Sequence, residues 1–338
     1  MRNIVEAGIA SIAILAGITD SLAVAGRTGP EEAAAVRPDA DGKATRVSVR
    51  TFVVDVSDID DAKHTFTADI YVLLNWKDAR LASSQTTLRN LPLASVWHPP
   101  LLILNQRSVN RLLPETVRVN GQGNVEYQQR FEGTFSVPLN LRSFPRDEQT
   151  LALRIVSPGL SPTELELIPE ARGGRTVEFS ILDWSVGQPT SRLATVSAPD
   201  GTAMAGFTCE LVADRLAGAY VYQFVIPLSF IVAMSWAAFW MAPDQLGPRH
   251  GIAVTSMLTI IAYRFVLAGQ LPRVAYLTRF DYLLLGCTTL VFLVLAEVVI
   301  VHVQLAKGRL ERAYRLDVIA RGVFPAMFLL LIVGVWLL

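Results

Sequence analysis

The chain is 338 residues long and carries 30 Lys and Arg against 30 Asp and Glu, a formal net charge of zero. Hydrophobic residues make up 51% and charged residues 18%, below the roughly 25% of a soluble domain, and mean hydropathy is +0.38. These figures exclude a disordered chain, a collagen-like fibre and a disulfide-stapled miniprotein. Balanced charge gives no reason to expect a nucleic-acid partner. With two Cys and four His, neither a metal cluster nor a cofactor is expected.

Residues 1–25 read as a secretory signal peptide. Arg2 precedes an apolar stretch over 7–18, and Ala23-Val24-Ala25 offers a small-residue cleavage site, although Glu6 and Asp20 are atypical. Residues 26–45 are rich in Ala, with Pro and Gly and no periodicity, and read as a linker. Residues 46–216 form the water-facing domain. Apolar and polar residues alternate over 46–58 and 64–74, and shorter strand-like runs follow at 101–104, 116–119, 124–137, 150–156, 164–168, 176–187 and 207–214. Turn signals at Gly121, Gly123, Gly159, Gly173 and Gly201 separate them. Many short strands at this spacing predict an antiparallel sandwich or barrel. No helix-period segment of useful length appears here.

The apolar excess lies in residues 217–338. Four runs predict membrane-spanning helices at about 219–241, 250–270, 281–304 and 318–338, each near the roughly 20 residues that cross a bilayer. The third link, 305–321, carries Lys307, Arg309, Arg312, Arg315 and Arg321, which the positive-inside rule places in the cytoplasm. The N-terminal domain then lies outside. Two charges fall within spans. Arg264 is expected to snorkel outward towards Asp281, and Glu297 to serve a structural role between helices.

No GxGxxG, GxxxxGK[ST] or HExxH motif is present, and no Ser–His–Asp or Cys–His grouping can be assembled. Enzyme chemistry has no foothold. His64 and His98 stand alone and read as surface or packed residues. Cys209 and Cys287 fall in different domains, so no bridge between them is expected.

Several motifs, in order, resemble the pentameric ligand-gated ion channels (the Cys-loop receptor superfamily) in their prokaryotic form. Trp76-Lys77-Asp78-Ala79-Arg80-Leu81 is similar to the family's W-x-D-x-R-L. Trp97-His98-Pro99-Pro100 is similar to W-x-P-D, with Pro100 replacing Asp. Phe144-Pro145-Arg146-Asp147-Glu148-Gln149 matches F-P-x-D-x-Q, but Val137 and Leu151 stand where the loop's cysteines would be. Arg215 precedes Pro227 at the family's spacing, Ser235-Trp236-Ala237-Ala238-Phe239-Trp240 matches the first helix, and Leu271-Pro272-Arg273-Val274-Ala275-Tyr276 matches the loop after the second.

The resemblance implies an all-β extracellular immunoglobulin-like sandwich followed by a four-helix transmembrane bundle, assembled as a homopentamer around a central pore in a bacterial inner (cell) membrane. It implies gating coupling through Asp147, Arg215, Phe144, Pro145 and Pro272. Removing either charge should impair gating, and exchanging the two should partly restore it. It places the pore lining at Gly251, Thr255, Leu258, Ala262, Phe265 and Gly269, with apolar rings at Leu258 and Phe265 that close by dewetting. The polar residues Thr255, Ser256, Thr259 and Tyr263 cluster on a face rotated from that stripe, so amphipathicity alone does not place the gate. The mouth at Pro248 and Arg249 has no carboxylate ring and leans towards anions, either through Arg249 or through neighbouring backbone if Arg249 faces away. A small-molecule or ion agonist of unknown identity would bind between subunits. Tyr71 and Arg192 are the candidate contacts, and the capping loop 189–206 has no aromatic residue to cage an amine. A non-conducting receptor of the same architecture is the alternative.

Overall fold

Alternation of apolar and polar residues puts one face of a strand into a core, and the first two strands do this in succession. In the computed structural model, which describes residues 36–39, 42–84, 87–170, 173–176, 178–197, 201–271 and 274–337, β1 (Thr45–Asp60) pairs antiparallel with β2 (Thr65–Lys77). Val47, Val49 and Val53 of β1 and Ile70, Val72 and Leu74 of β2 are buried. The expected signal peptide and most of the expected linker lie outside the described residues, as does Pro272.

Eleven further strands complete two sheets: β3 (Arg89–Pro92), β4 (Leu102–Ile103), β5 (Gln106–Arg111), β6 (Thr116–Val119), β7 (Asn124–Ser136), β8 (Glu148–Val156), β9 (Leu165–Pro169), β10 (Gly174–Arg175), β11 (Trp184–Val186), β12 (Thr190–Ser197) and β13 (Ala203–Arg215). One sheet runs β10-β1-β2-β7-β6-β3, with β5 on β7 and β9 on β1. The other runs β11-β13-β8-β4, with β12 on β13. Side chains from both, such as Phe66 and Phe135 from the first and Leu151 and Leu211 from the second, share one core, so the domain is a sandwich. The run 176–187 is strand only over Trp184–Val186, whereas the capping loop 189–206 is largely the β12–β13 hairpin.

The W-x-D-x-R-L segment forms the corner after β2. Asp78 accepts from Arg80 N at 3.0 Å and from its Nε at 2.9 Å, capping a single 3₁₀ turn at Ala79–Leu81. Gly123, with φ +78°, passes so close that a Cβ there would meet the Asp78 carbonyl oxygen at 2.3 Å. Trp76 packs edge-on against Trp97, with centroids 6.1 Å apart, which joins the two tryptophan motifs.

Four helices follow: α1 (Gly218–Trp240), α2 (Leu246–Ala268), α3 (Arg279–Ala306) and α4 (Leu310–Leu337). All four are long and apolar enough to cross a membrane. Pro227 has no N–H to give to the previous turn, and α1 widens into a π turn over Val221–Val225 immediately before it. The Tyr263 hydroxyl of α2 donates to Phe224 O at 2.9 Å, satisfying backbone that this widening frees. The third link is much shorter than the sequence suggests. Gly308, with φ +67°, turns the chain after α3, and α4 starts at Leu310 rather than near residue 318. At 28 residues and about 1.5 Å per residue, α4 outreaches a roughly 30 Å hydrocarbon core by more than a turn.

Candidate functional site

The sandwich meets the helices at the loop 137–147, whose F-P-x-D-x-Q residues are fixed by one another. Gln149 donates to Asn140 O at 2.8 Å and to Asp147 Oδ2 at 2.6 Å, and its Oε1 accepts from Asn140 N at 2.9 Å. Phe144 is buried and stacks edge-on with Tyr220 at 5.0 Å and Phe280 at 6.4 Å. The peptide before Pro145 is cis. Two bonds tie the loop to the helical side. Leu141 N donates to the Tyr276 hydroxyl oxygen at 2.9 Å, and Arg279 N donates to Arg142 O at 3.0 Å. The loop is therefore bonded directly to the segment leading into α3. Val137 and Leu151 are both buried, and Cys209 and Cys287 are free.

Asp147 and Arg215, paired in expectation, are paired in the structure. Arg215 Nε donates to Asp147 Oδ1 at 2.8 Å and Nη2 to Asp147 Oδ2 at 3.2 Å. Both side chains are 1% exposed. Sequence motifs gave no sign of Asp61 or Trp184, which join the cluster. Nη2 also donates to Asp61 Oδ1 at 2.8 Å, and the guanidinium carbon lies 4.1 Å from the Trp184 ring centre and 5.0 Å from that of Phe144. Burial pulls the Arg215 pKa down, but hydrogen bonds to Asp61 and Asp147 outweigh it and raise it overall. Burial pushes the Asp61 carboxyl up, and its bond to Arg215 only partly opposes that. Asp61 sits in the turn between β1 and β2, so one arginine at the foot of β13 binds two loops and the start of α1.

On α2 the expected stripe of Gly251, Thr255, Leu258, Ala262, Phe265 and Gly269 is exposed throughout. Leu258 is 62% and Phe265 77% exposed. The buried residues of the helix are Arg249, Ala253, Ser256, Ile260 and Leu267. At about 100° per residue these lie on the opposite side of the helix from the stripe. Ser256 is buried in the bundle and Tyr263 bonds to α1, which explains why these polar residues of α2 point away from the stripe.

Arg249 lies on the buried face of α2, opposite the stripe. It is fully buried, with Nη1 3.0 Å from Asp317 Oδ2 of α4 and Nη2 bonded to Asp317 Oδ1. Glu297 of α3 lies 3.6 Å away. A guanidinium in a low-dielectric bundle must be paired, and α4 begins early enough to supply the partner. Pro248 is exposed at the N-terminus of α2. Arg264 is exposed. Asp281, its expected partner, instead caps α3 with Thr278, accepting from Thr278 N at 2.8 Å and its hydroxyl at 2.7 Å.

The two candidate agonist contacts lie on different sheets and are not brought together within one subunit. Tyr71, on β2, is half-buried and donates to Gln128 Oε1 at 3.0 Å. Arg192, on β12, is exposed and paired with Glu210.

A β-sandwich joined through the loop 137–147 and the foot of β13 to four membrane-length helices defines a multi-pass membrane protein with its two parts in direct contact. The family model for the neurotransmitter-gated ion-channel ligand binding domain matches residues 33–200, and that for the neurotransmitter-gated ion-channel transmembrane region matches residues 224–313. The chain belongs to this family, the Cys-loop receptor superfamily of ligand-gated ion channels, and is not an enzyme.

Proposed function

We propose that the protein is a homopentameric ligand-gated channel of a bacterial inner membrane, with the sandwich outside and α2 lining the pore. The observation that carries this reading is the opposition of the two faces of α2. One is sealed into the subunit, and the other leaves Leu258 and Phe265 among the most exposed apolar side chains of the chain. Five such faces around an axis would enclose a water path narrowed by apolar rings.

Agonist binding between the β2 face of one subunit and the β12–β13 hairpin of the next would shift a closed–open equilibrium. It can do so only through unequal affinity for the two states. Tyr71 and Arg192 are the proposed contacts. With Glu210 beside it, Arg192 offers a paired rather than a bare cation, which favours a ligand carrying both charges or a polar neutral one. The junction of Asp61, Phe144, Pro145, Asp147 and Arg215, together with Pro272 in the loop after α2, would transmit the shift.

The proposed selectivity is for anions, but not through the charge of Arg249, which Asp317 neutralises. Its support is the N-terminus of α2, which has neither a side-chain cap nor an acidic residue in its first turn. The positive end of the helix dipole there favours anions. Flux through liposomes holding the purified protein, followed by reversal potentials in asymmetric NaCl, tests the reading. A reversal near the chloride potential is expected, and absence of any flux across pH and candidate ligands favours the non-conducting receptor.

A further inference from the structure

A cavity of about 310 Å³ opens in the sandwich where the β1–β2 turn meets β5, the end of β7 and β8. His64, Asn105, Arg107, Ser136, Pro138 and Arg154 line it. Its chemistry is one-sided. Arg107 and Arg154, both exposed, and half-buried His64 are among its lining residues, and no acidic residue lines it among the described residues. Elsewhere in the domain guanidinium groups meet acids, as Arg46 meets Glu166, Arg118 meets Glu126 and Arg130 meets Asp69, or a carbonyl or aromatic ring, as Arg89 meets Leu81 O and Arg142, Arg146 and Arg175 meet Tyr276, Trp336 and Phe179. Arg107 and Arg154 form no ion pair among the described residues.

The part of the wall around Asn105, Ser136 and Arg107 is fixed in place. Asn105 Nδ2 donates to Ser136 O at 2.8 Å and Ala152 O at 2.7 Å, tying β7 to β8, while its Oδ1 accepts from Arg154 N at 3.1 Å. Arg107 Nε donates to Ser136 Oγ at 2.8 Å. That bond orients the guanidinium and leaves its terminal nitrogens for another partner. His64 has φ +53°, the one positive φ at a non-glycine among the described residues. Its carbonyl accepts from Val137 N at 2.9 Å. Backbone in this region persists where its surroundings enforce it, often beside a ligand.

We infer that this cavity binds a small oxyanion, a carboxylate or a phosphate, between Arg107 and Arg154. Planar guanidinium groups match paired oxygens with two parallel hydrogen bonds each, and the volume suits a ligand of a few heavy atoms. The walls are the roots of two junction elements, the β1–β2 turn that carries Asp61 and the loop 137–147 that carries Asp147. An anion that draws β5 and β8 together acts on both. That regulatory consequence rests on the channel reading; the binding itself does not.

Isothermal titration of the full-length protein in detergent, with sodium succinate in one arm and sodium phosphate in the other at fixed ionic strength in NaCl, tests the site. Saturable binding of at least one anion is expected, and the two arms separate the two ligand classes. Affinity should fall tenfold or more in Arg107→Gln and in Arg154→Gln, stay partly intact in Arg107→Lys, and be unchanged in the surface control Arg46→Gln. Absence of saturable binding in both arms overturns the inference, as does equal affinity in wild type and both Gln variants. A carboxylate from a neighbouring subunit filling the cavity would show as no binding in wild type and loss of the oligomer in the Gln variants on size exclusion, and would equally overturn it.

Discussion

Replacing Arg215 by Gln should destabilise the sandwich more than any other single change of charge in it. The side chain is 1% exposed and donates three charge-assisted hydrogen bonds, two to Asp147 and one to Asp61. The substitution would leave the buried Asp147 and the half-buried Asp61 carboxylates close together without a cation. Removing one partner of a buried ion pair costs about 3–5 kcal/mol. For a domain of roughly 150–250 residues, each kcal/mol lowers Tm by about 2–4 °C, so the expected loss is on the order of 6–20 °C. Asp147→Asn should cost less, about 1–3 kcal/mol, because Arg215 keeps Asp61 and the amide oxygen can still accept from Nε. The exposed Arg50–Glu170 pair supplies the control: Arg50→Gln should leave Tm unchanged. Exchanging the two charges in Asp147→Arg with Arg215→Asp should restore only part of the loss, since the relocated carboxylate would face Asp61. Thermal unfolding of the purified protein, followed by intrinsic fluorescence, reads all four variants. A Tm for Arg215→Gln equal to that of Arg50→Gln would refute the reasoning.

Burial raises the Asp61 carboxyl pKa, so ionising it costs the folded state; the linked contribution favours folding below the ordinary Asp value and is lost as pH rises through the raised one. Asp61→Asn should therefore flatten the stability–pH curve just above the ordinary Asp range, and an unchanged slope in a Tm series would count against it. Phe144→Ala empties the ring packed between Tyr220 and Phe280, and about 3–5 kcal/mol of stability should go with it; a Tm near wild type would contradict this. Asp317→Asn should lower Tm because it leaves Arg249 with only Glu297, at 3.6 Å, whereas Arg249→Met combined with Asp317→Leu should recover part of that loss, apolar pairs being tolerated where buried ion pairs stood but Glu297 then lacking its cation. A double variant no more stable than Asp317→Asn would count against that pairing.

Strands buried on one face announce themselves, and β1 and β2 are legible because Val47, Val49 and Val53 alternate with polar or exposed neighbours. β12 is not, because Thr190–Ser197 buries little more than Ser191 and so has no contrast to read. The start of α4 is hidden for a different reason. Glu311, Arg312, Arg315 and Asp317 depress hydropathy and suggest a water-facing link, yet Asp317 is among the most buried charges of the chain. Its partner Arg249 lies 68 positions away, and no local spacing can reveal such a pair. The pairing of Asp147 with Arg215 is legible through the family's motifs, but Asp61 and Trp184 carry no signal of their own in the sequence. The stripe on α2 comes from the family register rather than from amphipathicity, since Ser256 and Tyr263 serve the packing of the bundle.

The lining of the pore by α2 is tested most directly by cysteine substitution along it in the channel reconstituted in liposomes. Modification by a water-soluble thiol reagent should block flux at Thr255→Cys, Leu258→Cys and Phe265→Cys, and leave it untouched at Ala253→Cys and Ile260→Cys. Block at the two buried positions, or at none of the five, would contradict the account.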